Sequence, residues 1–274
     1  MSIRPAEYAL GSTDAEHSRL IRQALRLAPV TERLLREAGI GPGQRILDLG
    51  SGVGDVAMLA ARLVSPSGEV VGIERDSRSI ARARTRIADA KLLNVSFTEC
   101  DVSQVQSAGP FDAAIGRFIL QFIPDPVAVL RCLSQLVRPG GVVVFQEVSY
   151  AALLALCAHL PLWSACVSAA RETIQRAGAN PEMGVALHRN FQEAGLPAPL
   201  MRLEVLLAAD PDFTLWIYDL LCSLTPQIQK HSVSLEAIGD FETLSARLQT
   251  EAAESKSVVP YVALVGAWSR KPGP

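Results

Sequence analysis

Clustered charge of one sign, metal-spaced cysteines and an apolar leader are all missing from this 274-residue chain. Its 26 Lys and Arg stand against 28 Asp and Glu, a net charge of −2. Duplex DNA and anionic membranes both require concentrated Lys and Arg, so neither is expected as a partner. Five cysteines (Cys100, Cys132, Cys157, Cys166 and Cys222) form no C-x-x-C pair, and the four histidines are scattered, so no zinc-like cluster is expected. Reduced thiols fit best, and with MSIRPAEYALGSTDAEHSRL lacking the apolar core of a signal peptide they point to the cytoplasm. Only 20% of residues are charged while 49% are hydrophobic, which excludes intrinsic disorder and provides material for a large core.

Residues 148–170 carry no Asp, Glu, Lys or Arg. The stretch reaches the roughly 20 residues of a membrane span. However, Pro161, His159, Tyr150 and three serines interrupt it, and a strand ending at Glu147 runs directly into it. Two other readings stand side by side: one wall of an apolar substrate pocket, or a buried packing helix.

Hydrophobic periodicity predicts a helix over 14–38, then strands at 45–50, 69–74, 94–100, 111–117 and 142–148. Helices at 56–64, 79–90 and 126–137 fall between them, and RPGG at 138–141 reads as a turn. Strands alternating with helices at this spacing imply an α/β fold, a doubly wound, mostly parallel sheet. Right-handed crossovers then bring the carboxyl ends of the strands to one edge, where ligands bind. Beyond residue 150 helices are expected at 151–178, 182–195, 213–224 and 240–254, with strands at 200–209 and 258–268. The chain divides into an N-terminal helical cap (1–40), an α/β core (41–150), a helical lid (151–200) and a C-terminal part completing the sheet (201–274).

The sharpest motif is ILDLGSGVGD at 46–55, a buried strand running into Gly50, Gly52 and Gly54 before a helix. Glycines let backbone turn tightly and approach a ligand closely. A dinucleotide fingerprint needs a further glycine at 55, where Asp55 stands. Asp48 and Asp55 would repel a pyrophosphate and suit an amino or sulfonium group instead. Glu74 ends the second strand, where a carboxylate accepts both hydroxyls of a ribose. Asp101 and Val102 end the third, where an acid can accept an exocyclic amine and an apolar side chain can pack on a base. Singly, such acids are equally well caps or solvated charges; their order after the glycine loop makes the set specific.

ILDLGSGVGD, VVGIERD, ECDVSQV, FDAAIGRFILQFIPDP and LVRPGGVVVFQE resemble the successive motifs of class I S-adenosylmethionine-dependent methyltransferases, in the ubiquinone/menaquinone-biosynthesis branch and its bacterial small-molecule relatives. The resemblance is strong over 40–150 and implies a seven-stranded sheet whose edge is closed by a reversed last strand. It places Gly50 and Gly52 along the methionine part of S-adenosylmethionine and Asp48 at its amino group. It gives Glu74 the ribose hydroxyls and sets Arg75 near the adenine, with Asp101 at the adenine amine beside Val102. Arg117 departs from the small or apolar residue usual at the end of the fourth strand; it reads either as a partner for the cofactor carboxylate or as a surface ion pair. Arg19 and Gln23, at i and i+4, reach the same carboxylate if the first helix folds over the site, and Tyr8 closes the mouth; an exposed amphipathic helix is the other reading.

Methyl transfer from a sulfonium needs alignment and exclusion of water, and a base only where the acceptor is protonated. Glu147, at the end of the fifth strand, and His188, in the lid, are the candidates. FDAAIGRFILQ supplies only Asp112, too few carboxylates for a metal-dependent catechol enzyme, and GRFI stands where an adenine-methylating enzyme has an N-P-P-Y-type motif. The expectation is methyl transfer to an O, N or C nucleophile of an apolar small molecule of secondary metabolism, with no metal, no nucleic acid and a homodimer left open. A protein that binds the same cofactor for a rearrangement or cyclisation shares every one of these features.

Overall fold

The computed structural model describes residues 13–102, 105 and 110–273. Tyr8 lies outside the described residues.

Helix α1 (Asp14–Glu37) begins at Thr13, whose hydroxyl accepts from the Glu16 amide; Asp14 and Glu16 in its first turn and Arg36 in its last complement the helix dipole. Its apolar stripe buries Leu27, Val30, Leu34 and Leu35. There follow β1 (Arg45–Leu49), α2 (Asp55–Val64), β2 (Glu69–Glu74), α3 (Ser77–Asp89), β3 (Val95–Glu99), β4 (Phe111–Arg117), α4 (Pro126–Leu136) and β5 (Val137–Val148). The five strands pair in parallel in the order β3-β2-β1-β4-β5. The expected turn at 138–141 is instead a bulge inside a longer β5: Phe111 pairs with Val137 and Ala113 with Val142. Asp112, opposite the bulge, accepts from the Arg45 amide (2.7 Å) and Arg138 Nε (2.6 Å), holding it in register.

The second half contributes α5 (Tyr150–Leu156), α6 (Pro161–Arg176), α7 (Met183–Glu193), β6 (Leu200–Glu204), β7 (Leu207–Ala208), α8 (Pro211–Thr214), α9 (Trp216–Lys230), α10 (Leu244–Glu254), β8 (Val259–Pro260) and β9 (Leu264–Arg270). The uncharged stretch becomes two helices, since Pro161 cannot continue α5 and starts α6. Trp163, Cys166, Val167 and Ala170 on α6 are fully buried. Among the described residues no helix is long and apolar enough to cross a membrane.

The sheet has seven strands in the order β3-β2-β1-β4-β5-β9-β6. The reversed strand is β9, as expected, but it lies inside the edge, antiparallel to both β5 and β6. Its burial explains the position: Leu264, Val265 and Ala267 are covered, whereas Leu200 and Leu203 of β6 are exposed. Helices α1–α3 cover one face of the sheet, and α4 and α7 the other. A third apolar cluster lies beyond the ends of β4 and β5, built by α5, α6, α9 and α10 with Leu27 and Val30 of α1.

Helix α1 packs tightly on the sheet at Gly266 of β9, where a Cβ would stand 2.6 Å from Leu34 Cδ1. Gly266→Ala is therefore expected to cost about 1–3 kcal/mol through overpacking, read as a lowered midpoint in urea unfolding. An unchanged midpoint would show that α1 yields freely at this contact.

Candidate functional site

Between β1 and α2 the chain turns through three left-handed glycines, with φ of +64° at Gly50, +53° at Gly52 and +86° at Gly54. The Ser51 amide donates to Ile73 O and the Gly54 amide to Ser51 O, both at 2.9 Å, so the loop is built before any ligand arrives. A Cβ at Gly50 would strike Ile119 at 2.6 Å, but one at Gly52 would meet nothing within 4 Å. Gly52 thus borders open space suited to close approach of a ligand.

Asp48, Asp55 and Glu74 gather around this loop, each held differently. Asp48 is 1% exposed, and its Oδ2 has no hydrogen-bond partner among the described residues. Burial raises its carboxyl from the ordinary range to about 8, against the opposing pull of Arg117 and the Ala57 amide. Glu74 Oε2 accepts from the Gly52 amide at 3.0 Å, while Oε1 accepts from the amides of Arg75 and Asp76 at 2.8 and 2.9 Å. Carboxylate oxygens have further lone pairs, so ribose hydroxyls can still donate to Glu74. Arg75 is exposed just past β2, while Asp101 and Val102 are half-buried past β3, Val102 packing against the apolar cluster on the α4–α7 face. Asp55, which the sequence sets against a pyrophosphate, is paired with Arg86 of α3 at 2.7 Å, so it adds less negative charge to the loop than its position implies.

Helix α1 does fold over this edge. His17 Nε2 lies 3.2 Å from Ser79 Oγ at the start of α3. Further along, Thr31 Oγ1 accepts from Arg117 Nη1 at 3.0 Å and donates to Gln146 Oε1 at 2.7 Å. Arg117 is therefore an inward group facing Asp48 and Asp55, with its guanidinium acidity strengthened chiefly by burial. Arg19 and Gln23 are joined (Nη1 to Oε1, 2.9 Å), but Arg19 also forms a fork with Glu16 at 2.8 and 2.6 Å. Glu16 in turn accepts from Ser223 Oγ of α9 at 2.6 Å. Glu16, Thr31 and Gln146 were not singled out by sequence; Glu16 carried a local signal in its i, i+3 spacing from Arg19.

Beside the cradle lies a cavity of about 660 Å³ between α1, the segment after β4, and helices α6 and α9. Phe118, Phe122, Trp216 and Tyr261 supply aromatic walls, and Arg19 and Gln23 of α1 also line it. Val148 and Tyr150 also line it, with Ile174 beyond the uncharged stretch, so the start of that stretch contributes to the wall while its middle packs inward. Phe118 has a left-handed backbone (φ +56°), held by its amide donating to Gln146 O at 3.0 Å.

The two candidate bases lie outside that cavity lining. His188 is exposed on α7. Glu147 is 0% exposed and accepts from the amides of Ile119 (2.9 Å) and Leu120 (2.8 Å), fixing the segment that leads from Phe118. Burial pushes Glu147 up to about 8 despite these amide bonds. The folded protein then retains a proton that the unfolded chain releases above about pH 4.3. Its contribution to stability is complete below that pH and is lost as pH rises towards about 8. Glu147→Gln should flatten this fall in urea titrations between pH 5 and 8, while Glu147→Ala, which orphans both amides, should cost about 1–3 kcal/mol throughout. Identical pH slopes in wild type and Glu147→Gln would remove Glu147 as a source of the dependence.

The family described as "Methyltransferase domain" matches residues 40–195, more than half of the chain. A ubiquinone biosynthesis O-methyltransferase of Albidiferax ferrireducens is 34% identical over 109 residues, covering 39% of this chain and 42% of that protein. A ubiquinone/menaquinone biosynthesis C-methyltransferase of Cellvibrio japonicus is 29% identical over 117 residues, or 42% of this chain and 47% of the relative. The chain thus spans less than half the length of these curated relatives. A solved phosphoethanolamine N-methyltransferase 2 of Haemonchus contortus, in complex with S-adenosylhomocysteine, shares the fold at a TM-score of 0.55 and 17% identity, covering 89% of this chain and 52% of that one. With its glycine loop, seven-stranded sheet and matching domain, the chain belongs to the class I S-adenosylmethionine-dependent methyltransferases.

Proposed function

We propose that this protein binds S-adenosylmethionine in the glycine cradle and transfers its methyl group to an apolar small molecule held in the adjoining cavity. The observation that carries this reading is adjacency: Phe118 lines an aromatic cavity of about 660 Å³, while its neighbours in the chain reach the glycine loop, Ile119 packing against Gly50 and Arg117 facing Asp48. The fit to the cofactor rests on the partnerless Asp48 oxygen, the open side of Gly52 and the carboxylate of Glu74 at the tip of β2.

When bound, S-adenosylmethionine supplies a methyl group on a sulfonium, an electrophile needing no covalent help. Gly50 and Gly52 let the backbone approach the methionine part, and Asp48 takes its amino group. Glu74 holds the ribose, with Asp101, Val102 and Arg75 around the adenine. Arg117, Arg19 and Gln23 lie towards the carboxylate. The aromatic walls align an acceptor in line and exclude water, which supplies much of the rate in a displacement of this kind. With Glu147 engaged by backbone amides and His188 on the outer face of α7, neither carries a step in this scheme. The proposed setting is a protein acting on free small molecules, without nucleic acid.

Methyl-labelled cofactor tested with apolar acceptors decides the activity: labelled product together with S-adenosylhomocysteine is expected. Acceptor turnover without S-adenosylhomocysteine would replace methyl transfer by rearrangement or cyclisation. Glu74→Ala and Asp101→Ala should each weaken S-adenosylhomocysteine binding by about 1–3 kcal/mol in calorimetry, and unchanged affinity in both would remove the ribose and adenine assignments. Since Asp48 sits near 8 without ligand, an ammonium beside it favours ionisation, so binding at pH 7 should release a proton. Binding enthalpies that vary with buffer ionisation heat in wild type, but less in Asp48→Asn, are expected; an equal dependence in both would place the amino group elsewhere.

A further inference from the structure

Among the described residues, the charges around the cavity cancel except at one. Arg19 is paired with Glu16 at 2.6 Å and Arg22 with Asp219 at 2.9 Å. Arg26, one helical turn beyond Arg22, lines the same cavity and has no carboxylate partner among the described residues; its guanidinium lies 5.1 Å from the centre of the Phe213 ring. Phe213 packs on Tyr261, with ring centres 5.2 Å apart, which brings Arg26 next to a second polar group.

Tyr261 and Tyr150 are 4% and 5% exposed, both line the cavity, and neither hydroxyl has a hydrogen-bond partner among the described residues. Gln121, 6% exposed, likewise lines it with a side-chain amide that has no hydrogen-bond partner among the described residues. Buried polar groups without partners are costly, so their presence in a cavity marks where a ligand or water completes them. Burial raises both phenols, which keeps them protonated and able to donate at neutral pH. One uncompensated cation, two hydroxyl donors and an amide therefore converge on a space otherwise walled by aromatic and aliphatic side chains. A neutral hydrocarbon would leave them unsatisfied, and an ammonium would meet Arg26 with like charge.

Resting on the methyl-transfer reading for the identity of the neighbouring cofactor, we infer that the cavity takes an apolar molecule bearing a carboxylate. Arg26 supplies its counter-charge, and Tyr150, Tyr261 and Gln121 supply its hydrogen bonds. This group orients the acceptor and is distinct from the cofactor carboxylate, which the proposed scheme assigns to Arg19, Gln23 and Arg117.

The test uses 2-naphthoate, 2-naphthylmethanol and 2-naphthylmethylamine, titrated by calorimetry into the full chain with and without S-adenosylhomocysteine. Naphthoate is expected to bind at least about tenfold tighter than the alcohol, and the amine weakest, as for a charge-assisted pair in a desolvated pocket. Arg26→Met should abolish the preference for the acid, and Tyr261→Phe should weaken naphthoate several-fold while sparing the alcohol. S-adenosylhomocysteine affinity should change less than about twofold in both variants, with circular dichroism confirming their fold. Equal binding of acid and alcohol, preference for the amine, binding of none of the three, or an acid preference that survives Arg26→Met would each overturn the inference. Failure of S-adenosylhomocysteine to bind would instead strike the cofactor reading, while the ligand-free naphthyl series still decides the carboxylate subsite.

Discussion

The arrangement of the site depends on one hydroxyl, that of Thr31, in the middle of α1. It accepts from Arg117 at the end of β4 and donates to Gln146 near the end of β5, joining the helix to two adjacent strands. Buried donors and acceptors must be matched, so the helix cannot slide along this edge without orphaning a guanidinium and an amide together. The same bond sets where the Arg117 charge lies relative to Asp48 and Asp55. It also fixes the half of α1 that roofs the cavity, because Arg19, Gln23 and Arg26 lie on the same rigid helix. Cradle electrostatics and cavity shape are thereby tied to a single packing decision.

Two buried acids show how similar titration can have unlike consequences. Asp48 and Glu147 are both raised to about 8 by burial. Glu147 accepts from backbone amides on the segment after β4, so it acts as a structural brace with its remaining oxygen enclosed. The partnerless oxygen of Asp48 lies among Arg117, Asp55 and Glu74, close to the glycine loop where a cationic ligand group can repay its desolvation. Acidity alone would not separate these roles; the identity of each carboxylate's neighbours does.

What the sequence disclosed and what it withheld divide by range of interaction. The alternation of β1 to β5 with α1 to α4 is written in periodicities and glycines a few residues apart, and the glycine loop, Glu74 and Asp101 follow from their positions in that alternation. The pairing of Glu16 with Ser223 spans 207 residues and arises only when α9 docks on α1. The apolar run at 258–268 reads as one strand, yet the Tyr261 amide donates to Leu206 O and holds 259–260 in a separate small pairing with β7, so β9 begins only at Leu264. The same docking turns Tyr261 towards the cavity, which no local pattern foretells. Glu147 illustrates the converse: its place at a strand end is legible, but the alternating faces of β5 point it beneath the segment after β4 instead of into the open edge.

That segment shows how the cavity wall is held in place although neither Glu147 nor His188 lines it. Phe118 occupies left-handed backbone, which costs an L-residue on the order of 1–2 kcal/mol. The strain is held from two sides: Gln146 O accepts from the Phe118 amide, and Glu147 accepts from the next two amides. Consecutive residues of β5 thus clamp one turn of chain, and the side chain so placed is an aromatic wall of the cavity. A displacement at a sulfonium is sensitive to alignment and water more than to proton transfer. Fixing an aromatic surface at the end of β4 against its own backbone preference is consistent with catalysis by position, with Glu147 contributing through the geometry it imposes on Phe118.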